Sequence, residues 1–414
     1  MPLNIIVLVS LFGSVTGYLP ISPLLSLVAL CFPLRFLEAA TRDALMRALL
    51  GLLLFCLLSL LLYDPAALLQ YDFYRRDGNL FACLSSLLAI CIIPGFRSPT
   101  KVVLSFLVWV CATHLAYIVY HLLYDSESIY FFFFQAKNAA GGFLGTCIAL
   151  SLPLYSIRGR YAIITLLLVI CFLLTDSRGS LLALLLSFSV YCLTPAMQLR
   201  ALKSTLIVVP VLASVLFWLY ADRVEHLYSA PNPRQFGEYH LFDGYMERGW
   251  TIVDRFGSIW PRAVHYFLSS PIVGLGYGSF NDPDKDLVGY RGLWMRNISD
   301  ARVYDDSHAH NTYLHLLAEV GVIGYALFGY FTVQMLRRLH RVSIAPLRNG
   351  LLLAFFTAIF ASLTEHRFAT PSQMMPFLLC SIVVISSENR LLVLQNRHRR
   401  KMYIRAVEIS PRLA

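Results

Sequence analysis

The sequence predicts an all-α, polytopic integral membrane protein. Of its 414 residues, 57% are hydrophobic and only 14% are charged, whereas soluble domains usually carry about 25% charged residues. Apolar runs of about 17–25 residues, the length that crosses the hydrocarbon core of a bilayer as a helix, recur along the chain. The alternating pattern that is typical of a membrane β-barrel does not occur. Helices satisfy their own backbone hydrogen bonds, so they are the form expected in lipid.

About twelve transmembrane helices are predicted. The least regular stretch is 161–194, where two short apolar halves are separated by Thr175-Asp-Ser-Arg-Gly179. A charged interruption at membrane depth is costly unless it faces water or protein, so we expect this break at a membrane surface. The predicted spans are approximately 3–18, 20–34, 45–63, 79–95, 102–123, 139–156, 161–175, 179–194, 204–220, 312–336, 347–364 and 371–387.

The distribution of basic residues predicts that both termini lie in the cytoplasm. Lys and Arg in short loops are retained on the cytoplasmic side, and most of them fall in the connections assigned to that side. The short outer connections hold only Arg75, Arg76, Lys137, Arg178 and Arg367. The net charge of +10 is therefore explained by topology and by a basic tail facing anionic lipid. It does not predict nucleic-acid binding.

Four regions are predicted, and the second of them is the most informative. Residues 221–311 form a long outer loop, and loops longer than about 15 residues are usually functional or disordered. Its many aromatic residues argue against disorder, so we expect short helices on the membrane plane, for example at Trp260–Ser269. The other regions are an N-terminal transmembrane bundle of about nine spans (1–220), three C-terminal transmembrane helices (312–387) and a basic cytoplasmic tail (388–414).

The nine cysteines all lie in apolar runs. None lies in the long loop, so the sequence excludes a disulfide framework or a cysteine zinc cluster there.

The first candidate site is the break at Thr175–Ser180, which carries Arg178. A guanidinium group matches phosphate oxygens in a bidentate manner, so Arg178 could hold the phosphate of a lipid carrier. The alternative is an interfacial arginine that reaches lipid headgroups or pairs with Asp176. Lys137 and Arg367 are further cations predicted on the same outer face.

The second candidate site lies in the long loop. Arg255 and Arg262 flank Trp260 and precede a glycine-rich turn at 270–280, where glycine permits close backbone approach. Either arginine could equally be a solvated loop charge.

The third candidate site is Tyr304-Asp-Asp-Ser-His308-Ala-His310-Asn311, immediately before a predicted span. Histidine is the usual general base near neutral pH, and His310 lies where a hydrophobic segment meets water. Two Asp and two His could bind a divalent metal, but they share no obvious face, so no metal ligand is predicted. The alternative is a set of interfacial polar residues that cap a helix.

The segment that begins at His310 resembles the signature of the O-antigen ligase and polymerase superfamily. That signature is His, then Asn, Ser or Gln, nine residues, Gly, two residues, and Gly, Thr or Tyr. Here His310-Asn311 is followed by nine residues, Gly321 and Gly324. The turn at 274–280, the preceding helix with Trp and Arg, and the Ser177-Arg178-Gly179 element also resemble that family. The resemblance covers roughly 135–385.

This resemblance implies a bacterial inner-membrane glycosyltransferase of the GT-C type, with its active site in the periplasm and no metal or other cofactor. Arg178 and Arg255 would bind the diphosphate of an undecaprenyl diphosphate-linked glycan, and His310 would activate the acceptor hydroxyl. In the family the loop arginine commonly lies four residues before its Trp, whereas Arg255 lies five before Trp260, so Arg262 remains an alternative. Further candidates for substrate binding are Lys137, Asn311, His308 and Arg367.

The function expected from the resemblance is ligation of O-antigen to a sugar of lipid A–core, within membrane lipid. The single dominant outer loop favours a ligase over a polymerase of the same superfamily, which remains the alternative. A transporter or flippase is less favoured, because no internal repeat is evident and the charges cluster at the outer face.

Overall fold

The computed structural model describes residues 2–16, 31–69, 79–124, 132–134, 137–175, 177–193, 259–281 and 308–409. These residues form helices and connections, and they contain no strand. The α-helices are α1 (Pro2–Gly13), α2 (Pro33–Arg42), α3 (Ala44–Tyr63), α4 (Leu80–Leu84), α5 (Pro99–Tyr124), α6 (Lys137–Ser151), α7 (Ala162–Leu173), α8 (Arg178–Leu193), α9 (Trp260–Ser269), α10 (Thr312–His340), α11 (Ala345–Ala361) and α12 (Pro371–Ile409).

Short 3-10 helices extend or connect these elements. They are Ser14–Thr16, Pro65–Leu69, Ser85–Cys91, Leu152–Ser156, Gly159–Tyr161, Ser279–Asn281 and Arg367–Ala369.

Five helical segments in the described parts of the chain are long and apolar enough to cross a membrane. They are Ala44–Tyr63, Pro99–Tyr124, Lys137–Ser156, Thr312–His340 and Pro371–Leu391. Helices α1, α7, α8 and α11 are apolar but shorter. The predicted all-α membrane fold is therefore confirmed, whereas the predicted count of about twelve spans is not. Residues 20–30 of one predicted span, and all of the span at 204–220, lie outside the described residues.

The predicted span at 79–95 differs in form from the expectation. It consists of the short helix α4 followed by a 3-10 helix, Ser85–Cys91, rather than one continuous α-helix. Ser86 donates its hydroxyl hydrogen to the Cys83 carbonyl, a local side-chain bond of the kind that competes with regular α-helical pairing. The segment is almost wholly buried, so tertiary packing stabilises a shape that apolar composition does not reveal.

Helices α6, α11 and α12 form the centre of the bundle. Helix α11 packs against α6 and α8, while α6 also packs against α12. A methyl group added at Gly350 of α11 would lie 2.8 Å from the Leu150 carbonyl oxygen of α6, so glycine allows these two helices to cross closely. A second group forms around α10, which packs against α3 and α9.

The break predicted within 161–194 is present. Helix α7 ends at Leu173 and α8 begins at Arg178, and the Thr175 hydroxyl donates to the Phe172 carbonyl at the end of α7. Asp176 lies outside the described residues. The break brings the start of α8 close to the start of α6, because a methyl group at Gly141 would lie 2.3 Å from the Ser177 side chain.

Candidate active site

The glycine-rich turn at 270–280 inserts into a break in α10. Gly321 interrupts the helix with φ 60° and ψ −165°, which leaves the carbonyls at 318 and 319 without their helical donors. Turn N–H groups bind these carbonyls, and the N–H groups after the break bind turn carbonyls. The four bonds are Leu275 N to Ala318 O (3.1 Å), Gly276 N to Glu319 O (3.0 Å), Val322 N to Pro271 O (2.9 Å) and Ile323 N to Ile272 O (3.1 Å).

The two glycines of the His-Asn-Gly-Gly signature have distinct packing roles. A methyl group at Gly321 would lie 2.5 Å from the Ile272 carbonyl, so the turn could not approach. A methyl group at Gly324 would lie 2.4 Å from the Val320 side chain and 3.1 Å from the Phe55 ring of α3. Positive φ values at Gly274 and Gly276 complete the close approach. The spacing of the signature therefore positions the start of α10 relative to the turn and to α3.

His310 lies immediately before α10 and is paired with a carboxylate. Its Nδ1 atom is 3.2 Å from Oε2 of Glu365, and the two side chains are 28% and 7% exposed. His310 has φ 45°, in the left-handed region that non-glycine residues seldom occupy. Such strained backbone concentrates at functional sites. The pairing fixes the orientation of the imidazole at a place that solvent reaches.

Glu365 joins His310 to the beginnings of α6 and α8. Asn138 of α6 donates its amide hydrogen to Glu365 Oε1 at 3.1 Å. Ser177 donates to Asn138 Oδ1 at 3.4 Å, and its hydroxyl also lies 2.8 Å from that of Ser180. The starts of α6, α8 and α10 therefore meet at one polar cluster, in the turn that follows α11.

Arg367 is buried within this cluster, at 3% exposed. It donates to the Asn138 carbonyl at 3.2 Å and to the Ser180 hydroxyl. A methyl group at Gly142 would lie 1.3 Å from its guanidinium, so the Gly141-Gly142 pair makes room for this arginine. These contacts brace α6 against α8, and the predicted role of Arg367 in substrate binding stays a prediction.

Asn311 is the N-cap of α10. Its side-chain oxygen accepts hydrogen bonds from the N–H groups of Tyr313 and Leu314, which would otherwise have no helical partner. Its amide donates to the Leu363 carbonyl at 3.1 Å. The contacts confirm that this segment caps a helix, and they tie the residue after His310 to the Glu365 turn.

The helix predicted at Trp260–Ser269 is confirmed as α9, and it contacts the residue that precedes His310. The Trp260 indole N–H donates to the Ala309 carbonyl at 2.8 Å. Arg262 is 7% exposed, and its guanidinium lies 5.1 Å from the Tyr266 ring and 4.9 Å from the Phe280 ring. It also donates to the Tyr266 hydroxyl at 3.1 Å. Arg262 is therefore held by an aromatic cluster beneath the turn.

Two further histidines, His315 and His366, are buried near His310. The Nε2 atom of His315 is 3.2 Å from Glu319 Oε1, with both side chains buried, and the Phe280 N–H donates to the same oxygen at 3.2 Å. His366 is fully buried, and its ring centroid lies 4.1 Å from that of His315. Burial, followed by the nearby histidines, holds the pKa of His366 well below its ordinary value. His366 is thus neutral near pH 7.

The predicted cations of the site occupy the starts of two helices. Arg178 is the first residue of α8 and is exposed, and Lys137 is the first residue of α6 and is half-buried. Both adjoin residues of the polar cluster around Glu365, namely Ser177 and Asn138. Arg255 lies outside the described residues, as do the aspartates at 305 and 306.

His308, His310 and Glu365 form a possible ligand set for a metal ion. One atom from each residue lies within 4.8 Å of the others, and imidazole with carboxylate suits ions such as Zn²⁺. The rings of His308 and His310 are 4.2 Å apart. The sequence-based expectation that no metal is needed stays a prediction.

Glu365 and Asn138 are members of the site that the sequence did not predict. Each lies close in sequence to a cation that was predicted to belong to the site, Arg367 or Lys137. A carboxylate and an amide carry no positive charge, so the search for phosphate-binding cations did not include them. No spacing rule joins Glu365 to His310, because the contact spans 55 residues.

Fold and site together define a helical membrane protein whose polar cluster lies where several helices begin. Residues 163–329 match the model of a family described as O-antigen ligase. The match supports the O-antigen ligase superfamily for this part of the chain and confirms the resemblance seen in the signature. It includes Arg178, Arg262 and His310, while Lys137, Glu365 and Arg367 lie outside it. No curated protein matches the chain.

Proposed function

We propose that this protein is an O-antigen ligase of the bacterial inner membrane. It would transfer a glycan from undecaprenyl diphosphate to a sugar of lipid A–core at the periplasmic face, with inversion at the anomeric carbon and without a metal. The family match supports an enzyme that acts on lipid-linked glycans as a ligase or polymerase. The observation that carries the proposed chemistry is the His310–Glu365 pair.

His310 has the arrangement that a general base needs. In the neutral tautomer whose Nδ1 donates its hydrogen to Glu365, the lone pair resides on Nε2. This nitrogen would take the proton of the acceptor hydroxyl as its oxygen attacks the anomeric carbon. Positioned proton transfer of this kind contributes typically about 10²–10⁴-fold to a rate. Glu365 would then stabilise the imidazolium that forms.

The bond that breaks joins the anomeric carbon to the diphosphate of the carrier. Negative charge develops on that leaving group, and preorganised cations at such a position are often the largest catalytic contribution. Arg178, at the start of α8, and Arg255 of the long loop are the proposed ligands of the diphosphate. Lys137 and the N-terminus of α6 add positive potential nearby. Arg262, held against two aromatic rings, is the alternative loop ligand.

Transfer by purified protein would test the proposal. Lipid-linked polymer would be incubated with rough lipopolysaccharide in the presence of EDTA, beside an active control ligase. We expect a product of higher mass that carries both glycan and lipid A–core. No product, with the control enzyme active, would exclude ligation, and loss of product only with EDTA would exclude the metal-free mechanism.

A deletion strain separates ligase from polymerase, a choice that the family match leaves open. Without a ligase, polymerised glycan accumulates on the lipid carrier and never reaches lipid A–core. Without a polymerase, the core is still capped, but with single repeat units. The single long outer loop, 221–311, is the feature that favours the first result.

A further inference from the structure

A second polar region lies at the other end of α10. This helix begins beside His310 and ends at His340, and a helix of that length spans about 40 Å. Around its C-terminal end is a cavity of about 1340 Å³, open to the surface and walled by α2, α3, α10 and α12. It is remote from the His310–Glu365 pair and contributes nothing to the proposed transfer.

Seven arginines among the described residues line this cavity. Arg35 and Arg42 come from α2 and Arg47 from α3, while the others come from the end of α10 and from α12 (Arg337, Arg338, Arg341 and Arg390). They belong to segments far apart in sequence, and the fold gathers them around one hollow. Topology requires basic residues on a face of the membrane, but it does not require them to surround a cavity.

The positive charge of the cavity is only weakly compensated. Its two lining carboxylates are Glu38 and Asp43. Glu38 pairs with Arg42 at 3.1 Å, where both side chains are largely exposed, and such a pair contributes little. Asp43 accepts a hydrogen bond from the Leu45 N–H as the N-cap of α3. Within the described parts of the chain, Arg42 alone among the seven forms an ion pair.

Neutral side chains orient two of the arginines at the end of α10. Arg337 donates to Oε1 of the buried Gln334 at 3.2 Å, and Arg338 donates to Oδ1 of Asn389 on α12. An amide orients a guanidinium group without neutralising it, so these arginines retain their full charge and further donors. Guanidinium groups match phosphate oxygens in a bidentate manner.

We propose that this cavity binds the phosphate groups of an anionic phospholipid headgroup. Its volume exceeds the roughly 300–1,000 Å³ of usual small-molecule pockets, which favours a headgroup with two phosphates, such as that of cardiolipin. Basic pockets between transmembrane helices are known to hold such headgroups. The bound lipid would join α2 and α3 to the ends of α10 and α12.

Native mass spectrometry of the full-length protein in detergent would test this proposal. The probes are cardiolipin, phosphatidylglycerol, phosphatidylcholine and, as a soluble anion, inorganic diphosphate. We expect preferential retention of cardiolipin and a loss of roughly 30-fold in its affinity in the double variant Arg47→Gln/Arg341→Gln, because two arginines that attract the anionic headgroup are removed. Both side chains are exposed, so folding is preserved, and an unchanged elution volume would verify this.

The matched control is Arg158→Gln/Arg160→Gln, which removes the same charge from exposed residues that do not line the cavity. Its cardiolipin affinity should equal that of the wild type. Equal losses in the two double variants would overturn the proposal, because they would show a general charge effect. If inorganic diphosphate displaced cardiolipin at equal concentration, the site would be specific for a soluble anion, and the proposal of a lipid ligand would be wrong. Arg35→Gln, on the α2 wall of the cavity, should also lower cardiolipin affinity, as the changes at Arg47 and Arg341 do.

Discussion

His310 and Glu365 approach to 3.2 Å between Nδ1 and Oε2, although one precedes α10 and the other lies in the turn between α11 and α12. The turn is held to α10 independently, since the Thr312 N–H donates to the Ser362 carbonyl at 2.9 Å and Asn311 donates to Leu363. The imidazole is therefore oriented by a rigid frame, and its partner is a carboxylate that Asn138 also binds. In the proposed reaction, this frame would hold the pair in place for proton transfer.

Glu365→Gln should lower the rate of glycan transfer about tenfold while leaving KM for both substrates nearly unchanged. The change removes the charge that stabilises the imidazolium of His310. A hydrogen bond to a charged group contributes about 1.5–3 kcal/mol. A tenfold decrease in rate corresponds to about 1.4 kcal/mol, close to the lower end of that range. Steady-state kinetics of the purified protein would measure it. His310→Ala should cost more, about 10²–10⁴-fold.

The control for this pair is Glu388→Gln. Glu388 accepts hydrogen bonds from Ser343 at the other end of α10, so its removal should leave kcat unchanged. An unchanged rate in Glu365→Gln, with His310→Ala inactive, would show that the carboxylate does not assist the base.

Arg255 and Arg262 should differ in what their removal damages. Arg262 contacts two aromatic rings and the Tyr266 hydroxyl while buried, so Arg262→Ala should lower stability by about 2 kcal/mol or more. Arg255→Ala should abolish most transfer without lowering the melting temperature. Melting curves and transfer assays on both variants would measure the two effects. Full activity in Arg255→Ala, with Arg262→Ala inactive at unchanged stability, would assign the diphosphate contact to Arg262.

The features that the sequence predicted well are local. Apolar runs predicted the helical membrane fold, and the charged break predicted the boundary between α7 and α8. The aromatic content of the long loop predicted short helices, of which α9 (Trp260–Ser269) is one. Each of these depends on residues close together in the chain. The glycines of the turn at 270–280 were predicted to permit close backbone approach, and the structure places Gly274 against the Glu319 carbonyl.

The features that the sequence did not reveal are contacts between distant segments. Glu365 reaches His310 only because α10 and α11 are antiparallel neighbours, which periodicity does not encode. The span at 79–95 was expected to be one α-helix because its composition is apolar, but local side-chain bonding and burial favour a 3-10 form. The arginines around the cavity of α2, α3, α10 and α12 were interpreted only as topogenic charge.

Gly321→Ala should destabilise the protein by about 1–3 kcal/mol or more, because alanine would be strained at φ 60°. Its methyl group would also collide with the Ile272 carbonyl, separating the turn from α10. The matched control is Gly329→Ala, on the same helix, where a methyl group meets nothing within 4 Å. Because alanine favours helix by about 0.5–1 kcal/mol over glycine, this control should be neutral or slightly stabilised. Equal melting temperatures for the two variants in detergent would contradict the packing described here.

Acidification should weaken the fold through His366. Its pKa in the folded protein is well below the ordinary value, because burial and then His315, His308 and His310 disfavour the charged ring. In the unfolded chain the pKa is about 6.5. Below that pH the unfolded state binds the additional proton, so stability falls as pH falls, by up to about 1.4 kcal/mol per pH unit for one proton. Melting temperatures in detergent from pH 7.5 down to 5 would show this dependence.

His366→Phe should reduce that dependence, because phenylalanine keeps the ring contacts with His315 and His308 and cannot take up a proton. The control is His265→Phe, the same substitution at an exposed position of α9, which shows how the exchange itself affects the melting temperature away from His366. If His366→Phe retained the full slope, the acid sensitivity would belong to another group, and the neutral state assigned to His366 would contribute nothing measurable to it.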